Sequence, residues 1–270
     1  MSGAGQALGS MRGLEGLGRA DASALRVDPR AMIVTTFLFI AVVSSFGKYD
    51  LLGLLPLTLY PVSLMALGRV SFRRIGLRLL IVSPFAVMIG IFNPVFDSRI
   101  VAELGPFAVS GGWISFASIL VKFLLTVSAA LILVAVCGFD AVCFGLEKMG
   151  VPKIFVSQLL FLNRYIHVAA DEAGRMLRAH ALRSFRREGL SIRVFGSLAG
   201  QLLLRSLDRA QRIYNAMISR GFSGRIRLLR ERSLGIGDVL FALLWISFFL
   251  FVRLYNIPLW IGTFVLGSSA

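Results

Sequence analysis

The polar residues of this chain fall in blocks, and five long apolar runs lie between them. About 20 apolar residues are needed to cross the ~30 Å hydrocarbon core of a bilayer. The first run, Ala31–Phe46, is short for that and would use its flanking residues. Leu51–Gly68 is the second, and Leu79–Phe96, with Pro84 and Pro94, is the third. Trp113–Cys137 is the fourth and is long enough to tilt. A fifth begins near Asp238 and ends about Val252. From Leu254 to Leu266 the chain is again apolar, but Pro258 interrupts it, which suits an interfacial or re-entrant segment. The pattern predicts an all-α integral membrane protein with about five transmembrane helices.

Between the fourth and fifth runs the pattern changes. Asp171–Phe222 is basic and has helical periodicity, and predicts two helices separated near Glu188-Gly189. Just before it, Phe155–Ala170 is apolar apart from Gln158, Asn163, Arg164 and His167. An arginine at the centre of a span costs about 3 kcal/mol even on a lenient scale. The stretch therefore reads as a separate helix lying at the membrane interface, with Pro152 in its first turn. On the second basic helix, Arg205, Arg209 and Arg212 share one face at spacings of four and three. Leu203, Leu207, Ala210, Tyr214 and Met217 form an apolar face. One side is expected to pack on its neighbour. The arginine side is either offered to a partner or solvated among lipid headgroups. The helix should stop at Gly221 as a left-handed residue, with Phe222 after it, leaving Arg220 at the helix end.

Charge sets the orientation. Arg12, Arg19, Arg26 and Arg30 precede the first run, and Arg69, Arg73, Arg74 and Arg78 separate the second from the third. The other two short loops hold Lys48 and Arg99 beside Asp50, Asp97 and Glu103. The excess of basic residues predicts a cytoplasmic N-terminus and a cytoplasmic block after Cys137. The expected organisation is a cytoplasmic tail (1–30), four transmembrane helices (31–137), a cytoplasmic domain with two basic helices (138–234), and a last transmembrane helix with an apolar tail (235–270). The tail does not resemble a cleavable signal.

Composition agrees. The chain is 57% hydrophobic with net charge +15, and its mean hydropathy is +0.80. Gly138–Arg232 holds 17 Lys/Arg against 7 Asp/Glu, a net +10, so two thirds of the excess charge sits in one block. Anionic lipid or an acidic protein groove suits such a block. Nucleic acid does not, because the block is tied to a membrane on both sides. Cys137 and Cys143 match no metal or redox spacing, and His167 and His180 share no acidic partner at ligand spacing. No phosphate-binding G-x-x-x-x-G-K-[ST] loop is present. No catalytic arrangement of residues lies near a span, and no metal site is expected.

Both basic helices close on an arginine among small or apolar residues: Leu182-Arg183-Ser184, and Ser219-Arg220-Gly221 within Ala216-Met217-Ile218-Ser219-Arg220-Gly221-Phe222. The stretch resembles the transmembrane coupling (T) component of energy-coupling factor transporters, a class of ABC importer. That family ends two coupling helices with Ala-Arg-Gly-like triplets. The second triplet here has serine for the leading alanine, and the first keeps only its arginine. Phe92-Asn93-Pro94-Val95-Phe96-Asp97, Gly150-Val151-Pro152-Lys153, Asn163-Arg164-Tyr165-Ile166 and Asp171-Glu172-Ala173 resemble the cobalt branch, the CbiQ type.

The resemblance implies a non-catalytic subunit in a bacterial inner membrane. Its partners would be two CbiO-like ABC ATPase subunits that bind ATP and Mg, and a CbiM-like capture subunit that binds Co²⁺, with or without a small CbiN-like subunit. The site residues it implies are Leu182, Arg183, Ser184, Ser219, Arg220 and Gly221, as contacts to the ATPases. This chain would bind no cofactor or metal. Nickel and biotin systems have related components. A stand-alone secondary transporter would instead want ionisable residues at mid-membrane, and Lys122 is the basic candidate in the fourth run.

Overall fold

The computed structural model describes residues 27–48, 50–96, 100–104, 107–184, 191–224 and 234–254. These divide into two compact units, one within Arg19–Gly145 and Arg232–Ala270, the other within Leu146–Glu231. The expected loop at Glu188-Gly189, the tail from Leu254 to Leu266 and most of the N-terminal segment lie outside the described residues.

The first unit is the membrane body. Helix α1 spans Pro29–Ser45. Asp28 caps it: its carboxylate accepts the Arg30 N–H at 2.9 Å, and Pro29 stands at the first helical position. Asp28 is 2% exposed, and its own N–H donates to Asp238 Oδ1 at 2.8 Å. The tail expected to run to Arg30 therefore gives way to ordered structure by Val27.

The second apolar run is not one helix. Two short 3₁₀ turns, Leu52–Leu54 and Pro56–Thr58, lead into α2, Leu59–Leu67. Pro56 and Pro61 lack the N–H groups that a continuous helix would use there. Helix α3, Phe72–Gly90, begins well before the expected Leu79. Phe72, Ile75 and Leu79 continue its periodicity backwards, and Ile75 is 1% exposed, so Arg73, Arg74 and Arg78 are helical rather than loop. After the short α4, Asn93–Phe96, a two-stranded antiparallel hairpin pairs β1, Ile100–Leu104, with β2, Phe107–Ser110. The sequence reading had a loop there, although Arg99-Ile100-Val101-Ala102 and Phe107-Ala108-Val109 carry strand-forming residues.

Helix α5, Gly111–Cys137, is followed by α6, Phe139–Lys148. Helix α9, Ile236–Leu254, closes the body. Helices α5 and α9 are long and apolar enough to cross a membrane; α1 and Leu52–Leu67 are shorter apolar segments. The described residues are thus those of an all-α membrane protein with one small hairpin.

Helix α1 packs on both α5 and α9. At the centre, Phe39, Tyr60, Trp245 and Phe249 form an aromatic cluster with centroids 4.8–5.8 Å apart. The Tyr60 hydroxyl shares a hydrogen bond with Thr36 Oγ1 at 2.8 Å. Lipid removes the hydrophobic drive between helices, so close packing and such polar contacts hold the body together. Gly68 is a point of close approach: a Cβ there would lie 2.5 Å from Val136 Cγ2.

The second unit is a helical pair. Helix α7 runs unbroken over Lys153–Arg183 and α8 over Ile192–Ser219. The separate interfacial helix expected over Phe155–Ala170 is instead the first half of α7. No proline follows Pro152 in this segment, and Gly174 is buried, so nothing interrupts the helix. Pro152 itself is the N-cap rather than a first-turn residue.

Candidate functional site

Helices α7 and α8 form an antiparallel hairpin. Phe161 near the start of α7 meets Phe222 just past the end of α8, with ring centroids 6.3 Å apart. Beside them, the Ser157 hydroxyl donates to the Gly224 carbonyl at 3.3 Å. Further along α7, Glu172 meets Arg205 of α8 at 2.6 Å. Arg183 and Arg220 therefore stand at opposite ends of the hairpin. From the level of Phe161 to Arg183, α7 rises about 33 Å at 1.5 Å per residue.

The two ends are built differently. Arg183 is the last residue of α7, and Ser184 caps it in extended conformation. The Ser184 N–H donates to the His180 carbonyl at 3.0 Å and its hydroxyl to the Ala181 carbonyl at 3.3 Å. Leu182 is 87% exposed. Arg220 is the C-cap of α8, and Gly221 follows with φ +77°. The Phe222 N–H reaches the Met217 carbonyl at 3.0 Å, and the Gly221 N–H reaches that of Ile218 at 2.9 Å. That pair of bonds is the Schellman motif, which needs a left-handed residue and hence favours glycine. The predicted stop at Gly221 is present. Both arginines are exposed, and among the described residues neither is ion-paired.

The sequence reading missed Glu172 as the centre of the hairpin. Its carboxylate hydrogen-bonds Arg175 on its own helix and Arg205 across the gap, and Arg209 lies 3.9 Å away. The Arg175 and Arg205 guanidiniums hold the carboxyl below its usual range. The arginine face of α8 thus partly meets α7: Arg205 hydrogen-bonds Glu172 and Arg209 lies near it, while their side chains stay 59% and 37% exposed. Leu203 and Leu207, expected on a face that could pack, are 61% and 53% exposed. Sequence offered no direct signal for Glu172, since Asp208, three residues after Arg205 and four before Arg212, already supplies an acid on that face of α8.

Between the Phe161–Phe222 contact and Glu172 the hairpin opens into a groove of about 520 Å³, lined chiefly by Tyr165, Val168, Ala169, Ile213, Tyr214 and Met217. Helix α8 has no fully buried residue. Both helices therefore present apolar surface that the second unit does not itself cover.

Elsewhere, the Lys122 ammonium donates to the carbonyls of Phe46 at 2.6 Å and Gly47 at 3.3 Å. It is engaged at the end of α1. Cys143 is buried and Cys137 lies 3.3 Å from the Met32 sulfur. Among the described residues no group of three or more His, Cys, Asp or Glu could hold a metal ion.

The described residues thus hold an apolar helical unit and an exposed basic hairpin with an arginine at each end. The chain belongs to the CbiQ cobalt transport protein family, whose sequence model matches residues 21–230. It is also similar to the uncharacterized protein MJ1571 of Methanocaldococcus jannaschii, with 25% identity over 119 residues. That match covers 43% of this chain and 41% of the relative.

Proposed function

We propose that this chain is the transmembrane coupling component of an energy-coupling factor importer for cobalt ions. Residues 138–234 form its cytoplasmic coupling domain in a bacterial inner membrane. Two ABC ATPase subunits hydrolyse ATP, a membrane capture subunit binds Co²⁺, and this chain passes motion from the first to the second. The observation that carries the reading is the placement of Arg183 and Arg220 at opposite ends of one hairpin. Such a separation suits two ATPase subunits, one for each helix end.

Arginine fits the task because its planar fork pairs bidentately with a carboxylate and stays charged when partly buried. Leu182 and Ser184 flank the first docking point, Ser219 and Gly221 the second. The family's cobalt description supports the choice of ion.

The test is ATPase retention on the affinity-tagged full chain, together with cobalt uptake. Truncating one partner of a buried interfacial charge pair costs about 2–5 kcal/mol, roughly 30- to 5000-fold in affinity. Arg183→Glu and Arg220→Glu should therefore shed ATPase while the protein still inserts and holds its membrane partner. Arg186→Glu, at a position outside the described residues, is the control for a charge reversal away from either helix end and should cost well under about 1 kcal/mol. If both reversals keep ATPase and uptake as well as Arg186→Glu does, the coupling reading is wrong.

A further inference from the structure

The hairpin has two fastenings of different kinds. At the Arg220 end, Phe222 packs on Phe161 and Ser157 bonds the Gly224 carbonyl. The second fastening is ionic and centres on one side chain. Glu172 is 13% exposed at its side chain and faces Arg175, Arg205 and Arg209. Beyond Glu172, α7 continues for about 16 Å to Arg183, and Arg178, Ala179, Ala181 and Leu182 on that arm are exposed. Opposite, Ile192, Arg193, Phe195 and Ser197 of α8 are exposed as well. Little packing is left to hold the arm in place.

The geometry points to Glu172 as the positioning residue that fixes the Arg183 arm against α8, and so sets the spacing between the two docking arginines. This deepens the coupling reading and rests on it. Glu172 lies about 16 Å along α7 from Arg183 and acts on that docking point through the arm. An isolated surface pair would do little. Here one carboxylate gathers three guanidiniums, two of them from the facing helix. Arg209 lies one turn of α8 from Arg205, which gives Glu172 a second partner if α8 slides by a turn.

Spin-label distances in the full chain in nanodiscs test the idea, in a Cys137→Ala, Cys143→Ala background. One label pair, Ala179→Cys with Ser197→Cys, reads the arm. A second, Leu162→Cys with Asn215→Cys, reads the Arg220 end. Glu172→Gln should broaden the first distribution and leave the second narrow, and Glu172→Asp should keep most of the order. In the reconstituted complex, Glu172→Gln should keep both ATPases but lower the cobalt transported per ATP below that of the wild type and of Glu172→Asp.

An unchanged arm distance overturns the inference. Broadening of both pairs does so too, because Glu172 would then be a general stability residue. Unchanged transport per ATP is equally fatal. The Arg183→Glu and Arg220→Glu variants judge the docking reading separately: if they keep the ATPases, that reading falls, whatever the labels report on Glu172.

Discussion

At the scale of single residues, the two cations at the end of α1 and the central carboxylate each have a local explanation. Lys122 lies in the apolar α5, where a free ammonium would be costly. Its bonds to the Phe46 and Gly47 carbonyls satisfy it at the C-terminal end of α1. Cations are favoured there by the helix dipole. Arg253 supports the same end: its guanidinium donates to Ser45 Oγ at 3.3 Å and lies 5.2 Å from the Phe46 ring centroid. Lys122→Met should destabilise the body by about 1–3 kcal/mol, as expected for losing a charged hydrogen bond, yet transport cobalt near the wild-type rate once assembled. Unchanged stability with lost uptake would revive a secondary transporter that carries ions through Lys122. Glu172 makes a pH prediction of definite sign. Its carboxyl is depressed in the folded state, so its contribution is present above the ordinary carboxylate pKa of about 4.3 and is lost as pH falls through the lower folded value. The groups facing it are guanidiniums, which stay charged throughout. The 179–197 label distance should therefore be constant from about pH 8 to 5 and loosen only below about pH 4. Loosening near neutrality would assign the arm's order to some other group.

At the scale of elements, the two ends of the hairpin should respond differently to substitution. Gly221 sits at φ +77° with open space around its Cα. A side chain there meets no neighbour, so Gly221→Ala isolates the backbone penalty of the left-handed conformation, about 1–2 kcal/mol. Amide exchange over Asn215–Phe222 should quicken by roughly five- to thirtyfold, while α7 is unaffected. Equal exchange in the variant would mean that the cap does not hold Arg220. The cap was legible in sequence because Ser-Arg-Gly-Phe at the end of a periodic stretch is a local signal. The helix boundaries around Pro56, Pro61 and Phe72 were not, since hydropathy marks an apolar run without saying where its helix starts or breaks. The β1–β2 hairpin was missed because its strands sit between apolar runs and were absorbed into a loop. The partition of α8 held at Ala210, Tyr214 and Met217, which line the groove, and missed at Leu203 and Leu207 for a different reason. Which face packs inward depended on Glu172 of α7, and a contact between residues 33 apart leaves no periodicity to detect. Likewise Asp28 appeared to be the end of a tail because its partner, Asp238, is 210 residues away.

At the scale of the whole chain, the contacts between α1 and α9 constrain topology beyond what charge bias could. Asp28, before α1, donates its N–H to Asp238 in the first turn of α9. At the far ends, Arg253 of α9 reaches Ser45 of α1. The two helices are therefore parallel, and each begins where the other begins. If both cross the bilayer, they cross in the same direction, so the spans counted through α9 must be odd. Five spans satisfy this and six do not. The chain consequently enters α9 from the face where α1 starts. Arg73, Arg74 and Arg78 in the early turns of α3 bear on the same question. Basic residues near span ends favour the cytoplasm, and if α1 and Leu52–Leu67 both cross, these lie on the face where α1 starts. A reporter fused after Arg187 should thus be active only in its cytoplasmic form, and one fused at Ala270 only in its exported form. An exported signal at Arg187 would place the hairpin away from ATP, and the coupling role would fall with the orientation. A cytoplasmic signal at both positions would be more limited in effect: it would give the residues after α9 a further crossing and leave the parallel pair and the hairpin where they are.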